Sequence, residues 1–167
     1  LAEKQHYPYV IWPYHSMAGS IGQALVPYFK EAVFFHEQVR QANARFEQKG
    51  RRMLAEAYSV LGPDVTLGID GSRASAKNDA FIEYLLNFDR IVIAGQPASH
   101  SVAWTVMDLL AMIDERQLDK ASHKLYLLED CMSPLSGYED NAAAWMDSFA
   151  KQGVNIIQSD TDLDEID

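Results

Sequence analysis

Residues 90–110 read RIVIAGQPASHSVAWTVMDLL. Ile91-Val92-Ile93-Ala94 is a short, wholly apolar run of the kind that forms a strand buried on both faces. Val102, Val106, Leu109, Leu110 and Ile113 then recur at helical spacing. Between the two lies a tight loop, Gly95-Gln96-Pro97-Ala98-Ser99-His100-Ser101, with Gln96-Pro97 a candidate cis bond that would fold it back. Strand, loop and helix in that order place Ser101 at a helix mouth, near unpaired N–H groups and the positive end of the dipole. Such N–H groups can stabilise an oxyanion. Ser101 is therefore a candidate active-site position. Read locally, Ser99 or Ser101 is more readily an N-cap than a nucleophile, because serine is a favoured capping residue.

The same alternation extends in both directions. Residues 9–12 read as a buried strand stopped by Pro13, and a Gly-spaced loop follows at 18–22. A helix is expected over 24–41, with Phe29, Val33, Phe34 and Val39 available for one face. Residues 44–49 suggest a strand ended by Gly50, and 58–72 a long loop punctuated by Gly62-Pro63, Gly68 and Gly71. A helix at 76–88 has Phe81, Leu85 and Phe88 on one side. Beyond the central stretch come a strand at 124–128, a helix at 141–152 closed by Gly153, and a last strand at 154–158. Strands alternating with helices imply an α/β fold: three layers, a mostly parallel sheet, and helices on both faces. Ligands then bind beyond the carboxyl ends of the strands, in the loops after Trp12, Lys49, Ala94 and Leu128.

The 167 residues suit a single domain over 1–167, without an internal repeat or linker. A hydrophobic share of 48% and a charged share of 23% are those of an ordinary globular chain. The formal net charge of −10 argues against nucleic acid and against an anionic membrane surface. Part of that charge sits in a solvated acidic end at 160–167. One cysteine, Cys131, excludes an internal disulfide and suits a reducing, cytoplasmic setting. No apolar run approaches the ~20 residues of a membrane span.

The remaining candidates are individually plain. Lys49, at a strand end, can reach a cleft and stabilise developing negative charge, or simply be a surface lysine. Arg51 and Arg52 beside it fit an anionic ligand or a solvated turn equally well. His15 follows Trp12-Pro13-Tyr14, and a lone histidine is more often structural than a metal ligand. His36 lies among apolar helix residues and reads as core or interface. His6, His100 and His123 show no ligand spacing, and Cys131 reads as a small buried residue. Walker, dinucleotide, Gly-x-Ser-x-Gly and paired-Cys zinc patterns do not occur.

Together these loops resemble the isochorismatase-like cysteine hydrolases, the family that includes nicotinamidases. Trp12-Pro13-Tyr14-His15 with Gly19-Ser20 resembles the family's Trp-Pro-x-His segment, whose histidine binds metal in nicotinamidases. Lys49-Gly50 with Tyr58-Ser59 resembles the segment that supplies the catalytic lysine. Gly95 to Ser101, continuing Val102-Ala103-Trp104-Thr105, resembles the nucleophile loop, with its short cis turn, Cys-Val and helical threonine. The resemblance runs from about Tyr9 to Ser159. It implies the isochorismatase-like, Rossmann-like α/β fold and an amidase acting on the C–N bond of a small planar amide.

In that reading Ser101 and Lys49 are catalytic, Gln96, Pro97 and His100 belong to the oxyanion loop, and His15 is a metal ligand. Two departures stand out. The family nucleophile is cysteine, and Ser101 occupies its place. The family's catalytic aspartate and Asp-x-His ligands precede the Trp-Pro-x-His segment, so the resemblance implies a domain incomplete at its N-terminus, lacking its first strand or strands. No cofactor is then required for hydrolysis, and zinc or another divalent metal is held only if upstream ligands join His15. Two alternatives remain open: a non-catalytic relative or fragment acting as a binding or assembly module, and an isochorismatase-type vinyl-ether hydrolase. The implied partner is a small amide or aromatic acid. An edge left by missing strands would be covered by a homo-oligomer or by the missing segment.

Overall fold

In the computed structural model the described residues are 7, 10–50, 57–64, 76–118 and 120–162. They divide into two compact units, Leu1–Glu47 and Gln48–Asp167. His6, Arg51, Arg52, Gly68 and Gly71 lie outside the described residues.

Among its described residues the first unit holds one α-helix, α1 (Pro27–Arg40), started by a proline in its first turn and ended by Gln41 in the left-handed region. Proline suits that start because its missing N–H has no helical partner there anyway. A short 3₁₀ turn, Ile21–Gln23, precedes it. The helix lies within the expected 24–41, but none of its residues is buried; Phe34 and His36 are exposed, so His36 is not core. Residues 10–12 form no strand, and Ile11 is 84% exposed. Residues 44–49 form none either, and Phe46 is exposed. Apolar patterning makes a strand only where a neighbour completes the ladder, and no described backbone pairs with either stretch.

The second unit is a parallel sheet of three strands, β1 (Ile91–Gly95), β2 (Leu125–Met132) and β3 (Asn155–Ile157), in that spatial order. Helix α2 (Asp79–Leu86) precedes β1, α3 (Ala103–Glu115) joins β1 to β2, and α4 (Glu139–Lys151) joins β2 to β3. With this strand order, right-handed crossovers put α3 and α4 on the same side of the sheet. The contact of Trp104 with Trp145, ring centroids 6.0 Å apart, agrees. Ile91 aligns with Leu125 and Ile93 with Leu127, so these share one face. Val102 and, in α3, Val106, Leu109, Leu110 and Ile113 are all buried, as their spacing predicts. The outer edge of β1 has no strand partner among the described residues, and Val92, on the other face, is 43% exposed.

Two details differ from the periodicity. In α2 the fully buried residue is Ile82, while Phe88 is exposed. Between the pairs Ile93–Leu127 and Gly95–Met132 the ladder slips, β2 spending five residues against two in β1. The surplus bulges outward, which leaves Cys131 exposed instead of buried. The start of α2 is capped by Asn78, whose Oδ1 accepts from the Phe81 N–H at 3.2 Å. Asn78→Ala is expected to cost about 1 kcal/mol, seen as a lower urea midpoint at unchanged slope.

Candidate active site

β1 ends at Gly95, whose φ of +134° excludes a side chain without strain, and the chain turns through a cis Gln96–Pro97 bond. The loop is then tied to the segment after β2. Ala98 N–H donates to the Ser133 carbonyl at 2.8 Å. The Ser133 N–H and hydroxyl both donate to Gln96 Oε1, at 3.2 and 2.8 Å. Leu135 N–H donates to Ser99 Oγ at 3.1 Å. One wide π-type turn, Ala98–Val102, follows, with the Val102 N–H reaching back five residues to the Pro97 carbonyl, and α3 continues from it.

Neither serine is a helix cap: the π turn and α3 both start without a side-chain cap bond. Ser101 is half-buried, and its Oγ accepts a hydrogen bond from Lys49 Nζ at 2.6 Å, across 52 positions of sequence. The same ammonium donates to the Tyr58 carbonyl at 2.7 Å. Tyr58 is itself held, its N–H donating to Asp64 Oδ2 at 3.1 Å. Thr105 joins the two segments: its hydroxyl donates to the Ser101 carbonyl at 2.7 Å and accepts from the Val60 N–H at 3.4 Å. Lys49 thus meets Ser101 although 44–49 is not a strand.

His100, next to Ser101 in the chain, is 2% exposed. Its ring packs edge-on against Tyr58 and Tyr138, at centroid distances of 5.3 and 4.7 Å, and stacks on Trp104. Nδ1 shares a hydrogen bond with Ser99 Oγ at 2.9 Å. Burial holds the imidazole below its ordinary pKa of 6.5. A histidine harder to protonate when folded contributes stability that is complete above pH 6.5 and is lost as pH falls through the folded value. The urea midpoint should therefore drop between pH 7.5 and 5.5, and the drop should shrink in His100→Asn; equal slopes in the two proteins would exclude this role.

The structure places Gln96, Pro97 and His100 in the frame of the loop. Gln96 Oε1 is taken by Ser133, Pro97 has no N–H, and the His100 N–H donates to the Pro97 carbonyl. The N–H groups of Ala98 and Val102 are likewise committed to carbonyls. His15 belongs to the first unit, where Nδ1 donates to the Pro13 carbonyl at 2.7 Å. That bond occupies Nδ1 and leaves Nε2 as the nitrogen a metal would use. Among the described residues, however, no group of three His, Cys, Asp or Glu side chains is gathered to hold a metal.

Two contributors were not legible as site residues. Asp64 follows Gly62-Pro63 and reads as loop punctuation, yet it is buried and anchors Tyr58. Ser133 gives no local signal at all, because its role is to meet Gln96 from 37 positions away.

No family model matches the chain, and no curated protein matches it. Solved structures do. Yeast nicotinamidase Pnc1p is 17% identical with a TM-score of 0.61, the match covering 90% of this chain and 59% of that one. The pyrazinamidase of Pyrococcus horikoshii in complex with zinc is 20% identical, TM-score 0.55, covering 89% and 63%. PnC1 from L. infantum in complex with nicotinate is 21% identical, TM-score 0.59, covering 89% and 61%. The chain thus spans about three fifths of the length of the structures it matches. At these identities the likeness speaks for architecture, and the architecture is the α/β fold of the nicotinamidases and pyrazinamidases.

Proposed function

We propose that this chain carries the nucleophile and lysine of an isochorismatase-like, nicotinamidase-like amidase site, acting on the C–N bond of a small planar amide. The observation that carries the reading is the 2.6 Å contact between Lys49 Nζ and Ser101 Oγ. The position after the cis turn is occupied by a group able to attack a carbonyl, with a cation beside it. In the reaction Oγ bonds to the carbonyl carbon as its proton passes to a base. The C–N bond breaks, the departing nitrogen takes up a proton, and water hydrolyses the resulting ester. Lys49 offsets the negative charge that develops on oxygen.

Ser101 is the weak point of that sequence. Its side chain has a donor beside it, and no described residue accepts its proton. This favours a second reading, in which the serine form binds ligand without turning it over. The test is ammonia release from nicotinamide and pyrazinamide by the serine protein and by Ser101→Cys, with isochorismate as the rival substrate. A gain with cysteine on the amides supports the amidase reading; no gain overturns it, and a gain on isochorismate alone transfers the site to vinyl-ether hydrolysis.

A further inference from the structure

Helix α3 begins just after Ser101 and runs for 13 residues, a length of roughly 20 Å. Its far end borders a cavity of about 680 Å³, a volume in the range of small-molecule sites. The helix closes in a Schellman turn, with Gln117 left-handed at φ +53°. Leu118 N–H donates to the Ile113 carbonyl and Gln117 N–H to the Asp114 carbonyl, both at 3.0 Å. Ile113 and Leu118, the apolar pair that accompanies such an ending, line the cavity with Leu110. Lys120, also left-handed at φ +61°, leads into the 3₁₀ turn Ala121–Lys124 that carries Ser122. Opposite comes Gln152, the residue that ends α4. Its Nε2 donates to the Ser148 carbonyl and Oγ, both at 3.3 Å, which leaves Oε1 as an acceptor. A Cβ on Gly153 would stand 3.0 Å from Ser122 Oγ, so glycine lets the end of α4 approach this turn.

Among the described residues the lining holds one carboxylate, Asp114, and one ammonium, Lys120. Neither side chain has an ion-pair or hydrogen-bond partner there, so the two charges face one cavity without meeting. We propose that this cavity binds a zwitterion with an apolar side chain, its ammonium at Asp114 and its carboxylate at Lys120. An amino acid and a short peptide with free ends share that chemistry. The C-terminal ends of α3 and α4 carry partial negative charge and favour the ammonium, and Gln152 Oε1 can accept from it. The Ser122 hydroxyl and the Gln117 amide can donate to the carboxylate. Leu110, Ile113 and Leu118 cover the side chain; Leu118, 39% exposed, has most apolar area left to bury. A simple anion would leave Asp114 unmatched, and a simple cation would leave Lys120 so. Because Ser122 and Gln152 precede β2 and β3, the cavity lies at the amino ends of the strands, opposite the Ser101 loop. The inference is therefore independent of the amidase reading.

Leucine and leucyl-leucine are the probes. Leucinamide, N-acetyl-leucine and glycyl-glycine are their counterparts without the carboxylate, the ammonium and the apolar side chain. Binding to the intact protein is followed by ¹H–¹⁵N chemical shifts, alongside Asp114→Asn and Lys120→Met. Both substitutions fall at exposed positions, and circular dichroism verifies that each variant is folded. At least one probe is expected to move the resonances of Leu110, Ile113, Leu118, Ser122 and Gln152. Each counterpart should bind about threefold to fivefold more weakly, the worth of one solvent-exposed ion pair or less. Lys120→Met should weaken leucyl-leucine by that factor and leave leucinamide unchanged. Asp114→Asn should weaken leucinamide and leave N-acetyl-leucine unchanged. The tighter of the two probes then tells whether the site takes a free amino acid or a peptide. Unmoved resonances at the lining residues, counterparts that bind as well as the probes, or binding indifferent to both substitutions would overturn the proposal. Shifts confined to residues 95–105 would overturn it as well, by placing the ligand at the Ser101 loop instead.

Discussion

Ser101→Cys is expected to hydrolyse nicotinamide at least about a hundred times faster than the serine form, measured as ammonia released under saturating amide. The size follows from the missing proton acceptor. A positioned general base contributes roughly 10²–10⁴ in rate, and the serine form shows no such base among the described residues. Cysteine lowers the need for one, because a thiol beside a lysine ionises near or below neutral pH, typically at a pKa of ~3.5–7.5. Lys49, 2.6 Å from the position, is placed to hold that thiolate. The rate of the cysteine form should rise with pH through the thiol's ionisation and then level. Lys49→Met in the cysteine background should shift that rise to higher pH, which a purely structural lysine would not do. A cysteine form no faster than the serine form would remove the nucleophile assignment.

The largest expected loss of stability is at Trp104. The indole is 3% exposed and touches Tyr58, His100 and Trp145, so it joins the loop that holds Lys49 to the helix that carries Ser101 and to α4. Truncation to alanine removes buried apolar area and leaves a cavity that a junction of three elements cannot collapse. Trp104→Ala should therefore cost about 3–5 kcal/mol, read as a urea midpoint shift or a melting temperature lower by roughly 10 °C. Trp104→Phe keeps a ring in place and should cost less than half as much. Near-equal stability of Trp104→Ala and the parent would mean that the three elements do not meet there. In a folded Trp104→Phe protein the Lys49–Ser101 contact should also loosen, because the Tyr58 ring loses part of its support. A smaller effect of Lys49→Met on Ser101→Cys turnover in that background would show it.

Much of the second unit is written locally. The wholly apolar 91–94, the stripe Val102, Val106, Leu109, Leu110 and Ile113, and the break at Gly153 each act within a few residues. Each appears in the structure where its pattern places it. Where sequence reading departed from the structure, the deciding partner was distant. Residues 10–12 and 44–49 carry strand-like patterning without a described neighbour to complete a ladder. Cys131 has the surroundings of a buried residue in sequence and the exposure of a bulge in space, because a register slip against β1 pushes it out.

Ser101 shows the division most clearly. Its place at the mouth of a helix, after a glycine and a proline that turn the chain, follows from residues 90–110 alone, since strand and helix periodicity are local properties. Whether that serine caps the helix or faces a reagent is not local. A cap bond and the Lys49 bond compete for the same hydroxyl oxygen, and the outcome depends on where a lysine 52 residues upstream is held. Tyr58, Asp64 and Thr105 hold it there through side-chain-to-backbone hydrogen bonds that no pattern of residue types encodes. The sequence alone therefore determined the α/β scaffold and the address of Ser101. Only the tertiary structure decided that Ser101 is not a cap and that a cation stands against it.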